Sequence, residues 1–183
     1  MGIARFTEHL RYASQLGSYV VGTETTELAI NGNDIKFANK LLQGSMEQML
    51  DTAKGFGVMI GIEPVSGHTL FDAKVTKQFF NQMSSDHLQV IFDPANLLNS
   101  KNYLEQDYII SEFFELLGDK IVAVHAKDFI IEKGKKIEVP LGKGMINHSL
   151  IYSRLNEIKP ATNVLIEGFD PSVVNESLEF LRK

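Results

Sequence analysis

The chain has 183 residues, of which 44% are hydrophobic and 22% charged, a composition typical of a globular domain and not of a disordered chain. Lys and Arg number 18 against 23 Asp and Glu, and the resulting net charge of -5 favours neither nucleic acid nor an anionic membrane as a partner. The absence of cysteine excludes disulfides, thiolate zinc sites and a cysteine nucleophile. Without a membrane-length apolar run or a signal-peptide core, we expect a cytoplasmic protein with one domain over residues 1–183.

An amphipathic helix is predicted first, over residues 4–17, and five strands are predicted after it. The predicted strands are short, nearly continuous apolar runs at residues 19–22, 58–62, 88–92, 121–124 and 163–166. Runs of this kind, rich in β-branched residues, are typical of parallel strands that are covered on both faces.

A helical pattern follows each predicted strand. The predicted helices are residues 35–57 after a cap at Asp34, 73–83 after Asp72, 104–117, 150–158 after Ser149, and 172–183 after Pro171. Repeated strand–helix units predict an α/β fold with a parallel sheet, which is either an open doubly wound sheet or a partial (β/α) TIM-type barrel. The glycine-rich phosphate loops that usually accompany the open sheet are absent from the sequence.

Four successive predicted strands end in a side chain that can bind a metal. These residues are Glu63, Asp93, His125 and Glu167. In a barrel they would converge on one mouth, where the active sites of that fold lie, whereas in an open sheet they would form a row too wide to share an ion. Three carboxylates and an imidazole suit a divalent ion such as Mn²⁺, Mg²⁺, Co²⁺ or Zn²⁺. A single such residue is usually a helix cap or a solvated loop residue, but four in succession favour a site.

Three further residues are candidates for substrate binding. His68 follows Glu63 in the same loop, Asn96 stands in the DPAN segment, and Lys127 in HAKD could hold an anionic group. The alternatives are a surface histidine, a loop cap and a surface ion pair, respectively. For Glu24, after the first strand, we favour a helix cap or a solvated loop residue over a role beside the metal.

The four strand ends, in this order, resemble the xylose-isomerase-like TIM-barrel superfamily, and within it the sugar phosphate isomerases and epimerases that include the ketose 3-epimerases. The resemblance is carried by the segments IGIEPV, VIFDPANLL, VAVHAKDF, VPLGKG and VLIEGF. It implies that Glu63, Asp93, His125 and Glu167 bind one divalent metal, with Mn²⁺ preferred. It also implies that Glu63 and Glu167 transfer protons through an enediolate of a small sugar or sugar phosphate.

The sequence departs from the family in two respects. Asn96 stands where ketose 3-epimerases and endonuclease IV have a histidine, and the segment IEKGKKIEVPLGKG contains no histidine, so an endonuclease IV-like phosphodiesterase ranks lowest among our hypotheses. Five predicted strands match strands four to eight of the family's eight-stranded barrel. We therefore expect open edges near Tyr19 and Leu165, and a homo-oligomer formed through them. The main alternative to the enzyme is a non-catalytic truncated barrel fragment or an assembly subunit.

Overall fold

The computed structural model describes residues 2–168 and 171–182. These residues form two compact units, one ending at Ile91 and the other beginning at Phe92. Phe169 of the VLIEGF segment and Lys183 of the last predicted helix lie outside the described residues. The single domain over residues 1–183 stays a prediction. Among the described residues, no helix combines the length and the apolar character that a bilayer span requires.

The first unit alternates helices and strands. Its elements are α1 (Ile3–Leu16), β1 (Val20–Glu24), α2 (Ile35–Phe56), β2 (Met59–Glu63), α3 (Ala73–Met83) and β3 (Leu88–Phe92), of which the last residue, Phe92, belongs to the second unit. The predicted caps Asp34 and Asp72 accept hydrogen bonds from amides of the first helical turn, as side-chain acceptors at this position do.

The three strands of the first unit are parallel to one another. β1 pairs with β2 with Gly22 opposite Gly61, and Ile60 of β2 lies opposite Leu88 of β3. A Cβ on Gly22 or Gly61 would come within 2.8 Å of the Ile91 side chain, so both glycines leave the space that Ile91 fills. The same register places Glu63 opposite Glu24 at the carboxyl ends of β2 and β1.

The second unit contains two further parallel strands and a hairpin. Its elements are α4 (Pro94–Leu97), α5 (Gln106–Leu117), β4 (Ile121–Ala126), β5 (Asp128–Glu132), β6 (Lys135–Val139), α6 (His148–Ile158), β7 (Asn163–Ile166) and α7 (Val174–Leu181). β4 and β7 are parallel, and β5 and β6 form an antiparallel hairpin. The rings of Phe92 and Phe113 stack with centroids 4.3 Å apart in the core of this unit.

Two details differ from the predicted elements. The prediction that Ser149 caps a helix is wrong, because α6 begins at His148, two residues before the predicted start, and the Asn147 side chain accepts the amide of Leu150. The β5–β6 hairpin was not predicted. Its turn has positive φ at Lys133 and Gly134, the backbone conformation of a tight two-residue hairpin turn.

Candidate metal centre

Asp93 lies at the end of β3, where the chain turns into the short helix α4. Its carboxylate caps that helix by accepting the Asn96 amide at 3.1 Å, and Pro94 occupies the first helical position. Aspartate before proline is a favourable helix start, so the local sequence favours the cap that this carboxylate forms. Asp93 has no exposed surface, which makes a nearby positive charge energetically necessary for its ionised form.

His125 and Glu167 are brought into contact by the pairing of β4 with β7. His125 is opposite Leu165, and the Glu167 amide donates to the carbonyl of Ala126. Their side chains meet with His125 Nδ1 2.7 Å from Glu167 Oε2. The imidazole is mostly covered, while half of the Glu167 side chain is exposed.

Lys127 joins these two strand ends to Asp93. Its ammonium lies 2.9 Å from Asp93 Oδ2 and 3.5 Å from Glu167 Oε1, and Lys127 is 8% exposed. A buried ammonium between two carboxylates shows that this part of the second unit stabilises positive charge. Lys127 thus forms ion pairs with two carboxylates of the chain itself, and its contact with an anionic group of a substrate stays a prediction.

The donor set of this cluster fits a divalent ion. Asp93, His125 and Glu167 supply carboxylate oxygens and an imidazole nitrogen, the ligands found for Mn²⁺, Mg²⁺ and Zn²⁺ in proteins. Asn96 belongs to the same turn as Asp93, and its backbone amide donates a hydrogen bond to the Asp93 carboxylate. A contact of the Asn96 side chain with substrate stays a prediction.

The remaining candidates lie in the first unit. Glu63 is the last residue of β2 and is 5% exposed. His68 is tied to the loop after β1, because it bridges to Glu27 through the backbone and its Nδ1 is 3.8 Å from Glu24 Oε2. Glu24 is thus a neighbour of His68 at the end of β1. The metal role of Glu63 and the substrate role of His68 stay predictions.

Asp128 has a structural role that the sequence analysis missed. Its buried carboxylate accepts amide hydrogen bonds from Gly142 and Gly144 at 3.0 Å each and from Ile146 at 3.2 Å. Burial acts to raise the pKa of Asp128, but the hydrogen bond from His148 and these amides outweigh it and hold the pKa below the ordinary value. The donors are 14 to 18 residues away in sequence, so no local pattern indicates them.

Lys136 on β6 is the second missed residue. Burial lowers its pKa, while the negative charges of Asp93 and Glu138 act in the opposite direction. Its role depends on the β5–β6 hairpin, which the apolar pattern of the sequence did not reveal.

Comparison with known proteins places the chain within one family. Residues 2–183 match the sequence model of the xylose isomerase-like TIM barrel. No curated protein has significant sequence similarity to the chain. The resemblance inferred from the strand-end residues is therefore confirmed at the level of the family.

Solved structures agree on the fold. A xylose isomerase domain protein from Planctomyces limnophilus has a TM-score of 0.80 at 20% identity, with 98% of this chain and 63% of that chain covered. A D-tagatose 3-epimerase-like protein has a TM-score of 0.80 at 19% identity, with 96% and 65% covered. The IOLI protein with a bound zinc atom has a TM-score of 0.72 at 20% identity, with 98% and 66% covered.

These likenesses confirm the predicted fold class. The five parallel strands, with helices between them, form part of a TIM-type barrel. The chain spans less than two thirds of the first two of these proteins.

Proposed function

This chain belongs to the xylose isomerase-like TIM barrel family, and on that premise we propose that it is a divalent-metal-dependent sugar isomerase or epimerase. The observation that carries the proposal is the contact of His125 with Glu167, joined to Asp93 through Lys127. These groups combine ligand chemistry with a carboxylate that can exchange a proton. An epimerase-like protein among the similar structures supports the same class of reaction.

The proposed metal ligands are Asp93, His125 and Glu167, with Glu63 as the fourth. When bound, the ion supplies a Lewis acid that polarises the substrate carbonyl and lowers the cost of negative charge on its oxygen. We prefer Mn²⁺ for a set of three carboxylates and one imidazole. Zn²⁺ is the alternative, because the structurally similar IOLI protein has a bound zinc atom.

Glu167 is the proposed base. Half of its side chain is exposed, so a sugar can reach the carboxylate, which takes the proton from the carbon beside the carbonyl. The electrons of the broken C–H bond move into an enediolate. Glu63, as an acid on the opposite side, then gives a proton back to carbon, and the new C–H bond completes an epimerisation or isomerisation.

The buried cation Lys127 has a supporting role in this proposal. Its ammonium lies 3.5 Å from Glu167 Oε1 and 2.9 Å from Asp93 Oδ2, so it offsets part of the negative charge that gathers when carboxylates and an enediolate come together. His68 and Asn96 are the proposed contacts for substrate hydroxyl groups.

The competing hypothesis is a non-catalytic fragment or an assembly subunit. It is favoured by one observation, namely that the chain spans 63% of the Planctomyces protein.

Exchange of hydrogen in D₂O separates the two hypotheses. We expect the Mn²⁺-loaded chain to catalyse exchange of deuterium from D₂O into D-tagatose or D-fructose at the carbon beside the carbonyl, as detected by proton NMR. Glu167→Gln should slow this exchange at least about a hundredfold, because it removes the base. Glu157→Gln serves as the matched control, since Glu157 is an exposed residue of α6 paired with Arg154, and should leave exchange unchanged. If exchange persists in Glu167→Gln, Glu167 is not the base. If the wild type shows no exchange with any ketose or ketose phosphate, the hypothesis of a non-catalytic fragment is favoured.

A further inference from the structure

Lys136 of the β5–β6 hairpin reaches the turn that carries Asp93. Its ammonium donates to the carbonyl of Ala95 at 2.5 Å and to the carbonyl of Leu98 at 3.2 Å. The Ala95 carbonyl, which also accepts the Leu98 amide, and the carbonyl of the capping residue Leu98 lie toward the carboxyl end of α4, where carbonyls have few partners within the helix. Lys136 therefore completes the hydrogen bonding at this end of the turn.

The other end of the same turn is capped by Asp93 itself. Its carboxylate accepts the Asn96 amide, and the amide of Leu98 donates to the carbonyls of Pro94 and Ala95. A helix of four residues has too few internal hydrogen bonds to hold its own shape. The position of the Asp93 carboxylate thus depends on contacts made from outside the turn.

The hairpin holds Lys136 in place for this contact. The Lys136 ammonium lies 5.0 Å from the centroid of the Phe129 ring, which is fully buried on the neighbouring strand β5. A cation over an aromatic face is stabilised by the ring. The Lys136 ammonium is thus held by the Phe129 ring of the hairpin and by the carbonyls of Ala95 and Leu98.

We propose that Lys136 is a positioning residue that fixes the metal ligand Asp93 by holding the carbonyl end of its turn, an inference that rests on the proposed function. Lys136 is not one of the proposed metal ligands or substrate contacts. Removal of a residue that orients a metal ligand typically lowers metal affinity about tenfold to a hundredfold. The hairpin inserted between β4 and α6 is accordingly a support for the site.

The test compares Lys136→Met with Lys135→Met, which changes the adjacent exposed lysine of the same strand. Amide hydrogen exchange is measured by NMR on the metal-free chain, and Mn²⁺ affinity by electron paramagnetic resonance. Lys136→Met should speed exchange at Asn96 and Leu98 at least about tenfold, leave the amides of α5 unchanged, and weaken Mn²⁺ binding at least about tenfold. Lys135→Met should match the wild type in all three.

The outcomes distinguish this inference from the proposed function. Unchanged exchange at Asn96 and Leu98 in Lys136→Met overturns the inference, as does faster exchange spread evenly through the second unit. Faster local exchange with unaltered Mn²⁺ affinity also overturns it, because the turn would then not position a ligand. If the wild type binds no Mn²⁺, the proposed function fails, and the positioning of a metal ligand fails with it. If Lys136→Met does not fold, Lys136→Arg replaces it, because this change moves the hydrogen-bond donors while keeping the charge. We expect the same changes in exchange and Mn²⁺ affinity, but smaller. Their absence overturns the inference.

Discussion

At the scale of single residues, the Asp128 carboxylate organises the chain that follows the hairpin. Three backbone amides between Gly142 and Ile146 converge on it. His148 Nε2 lies 3.4 Å from Asp128 Oδ2. Burial, together with the negative charge of Asp128, raises the pKa of Tyr152 to about 12. The segment VPLGKG, which carries part of the family resemblance, is thus shaped by an acid more than ten residues before it.

We predict that Asp128→Asn lowers the free energy of unfolding at pH 7 by about 2 kcal/mol, because an amide accepts fewer of these hydrogen bonds and carries no charge. The pKa of Asp128 is lower in the folded chain than its ordinary value of 3.8. Its contribution to stability is therefore complete above the unfolded-state pKa and is lost as the pH falls through the folded-state value. The measurement is urea unfolding at a series of pH values from 7 down to about 3, below the ordinary pKa of an aspartate.

Asp51→Asn, on the exposed face of α2, is the control and should change stability by less than about 0.5 kcal/mol at any of these pH values. A difference between Asp128→Asn and the wild type that stays constant down to the lowest pH would contradict the assigned pKa direction.

The proposed metal ligands and the structural residues differ in how well sequence predicts them. Asp93, His125 and Glu167 are residues with ligand chemistry at the ends of strands, so the alternation of strands and helices together with the residue types is enough to propose them. Asp128 and Lys136 act through backbone groups that are distant in sequence. Such contacts depend on tertiary folding and leave no pattern in the local sequence.

At the scale of elements, the parallel strands were predicted within a few residues because each is a short apolar run bounded by polar residues. The hairpin was missed because its second strand, Lys135–Val139, is largely exposed and charged. Its folding is determined by the turn at Lys133 and Gly134 and by the anchoring contacts of Asp128 and Lys136. The exposed strand β6 has no apolar run, which is the feature that sequence patterns detect most easily.

Replacement of two glycines by alanine is expected to change the free energy of unfolding in opposite directions. A Cβ on Gly144 would overlap the carboxylate of Asp128 and the carbonyl of Phe129, whereas Gly44 in α2 is exposed and would meet nothing. Gly144→Ala should lower the free energy of unfolding by about 1–3 kcal/mol because a packed loop must move. Gly44→Ala should raise it by about 0.5–1 kcal/mol because alanine favours the helix.

Chemical denaturation of both variants measures these two effects on the same scale. Gly144→Ala with wild-type stability would contradict the close approach of this loop to Asp128. A Gly44→Ala variant less stable than the wild type would contradict the exposed helical position of Gly44.

At the scale of the whole molecule, the chain has the fold of its family over a length shorter than that of similar proteins. In the part of the chain that the structure describes, β1 is paired with β2, and Tyr19 and Leu165 are about half exposed. Self-association through these edges stays a prediction. So does the cytoplasmic location, and so does a small sugar as the substrate.

The proposed function depends most on the binding of a single divalent cation at the ends of these strands. Titration of the metal-free chain with Mn²⁺, followed by electron paramagnetic resonance, tests it directly. We predict one tightly bound ion per wild-type chain, binding weakened at least about tenfold in Asp93→Asn and in His125→Gln, and wild-type binding in Asp51→Asn. A wild-type chain that binds no Mn²⁺, or an Asp93→Asn and a His125→Gln variant that bind it as tightly as the wild type, would contradict the claim.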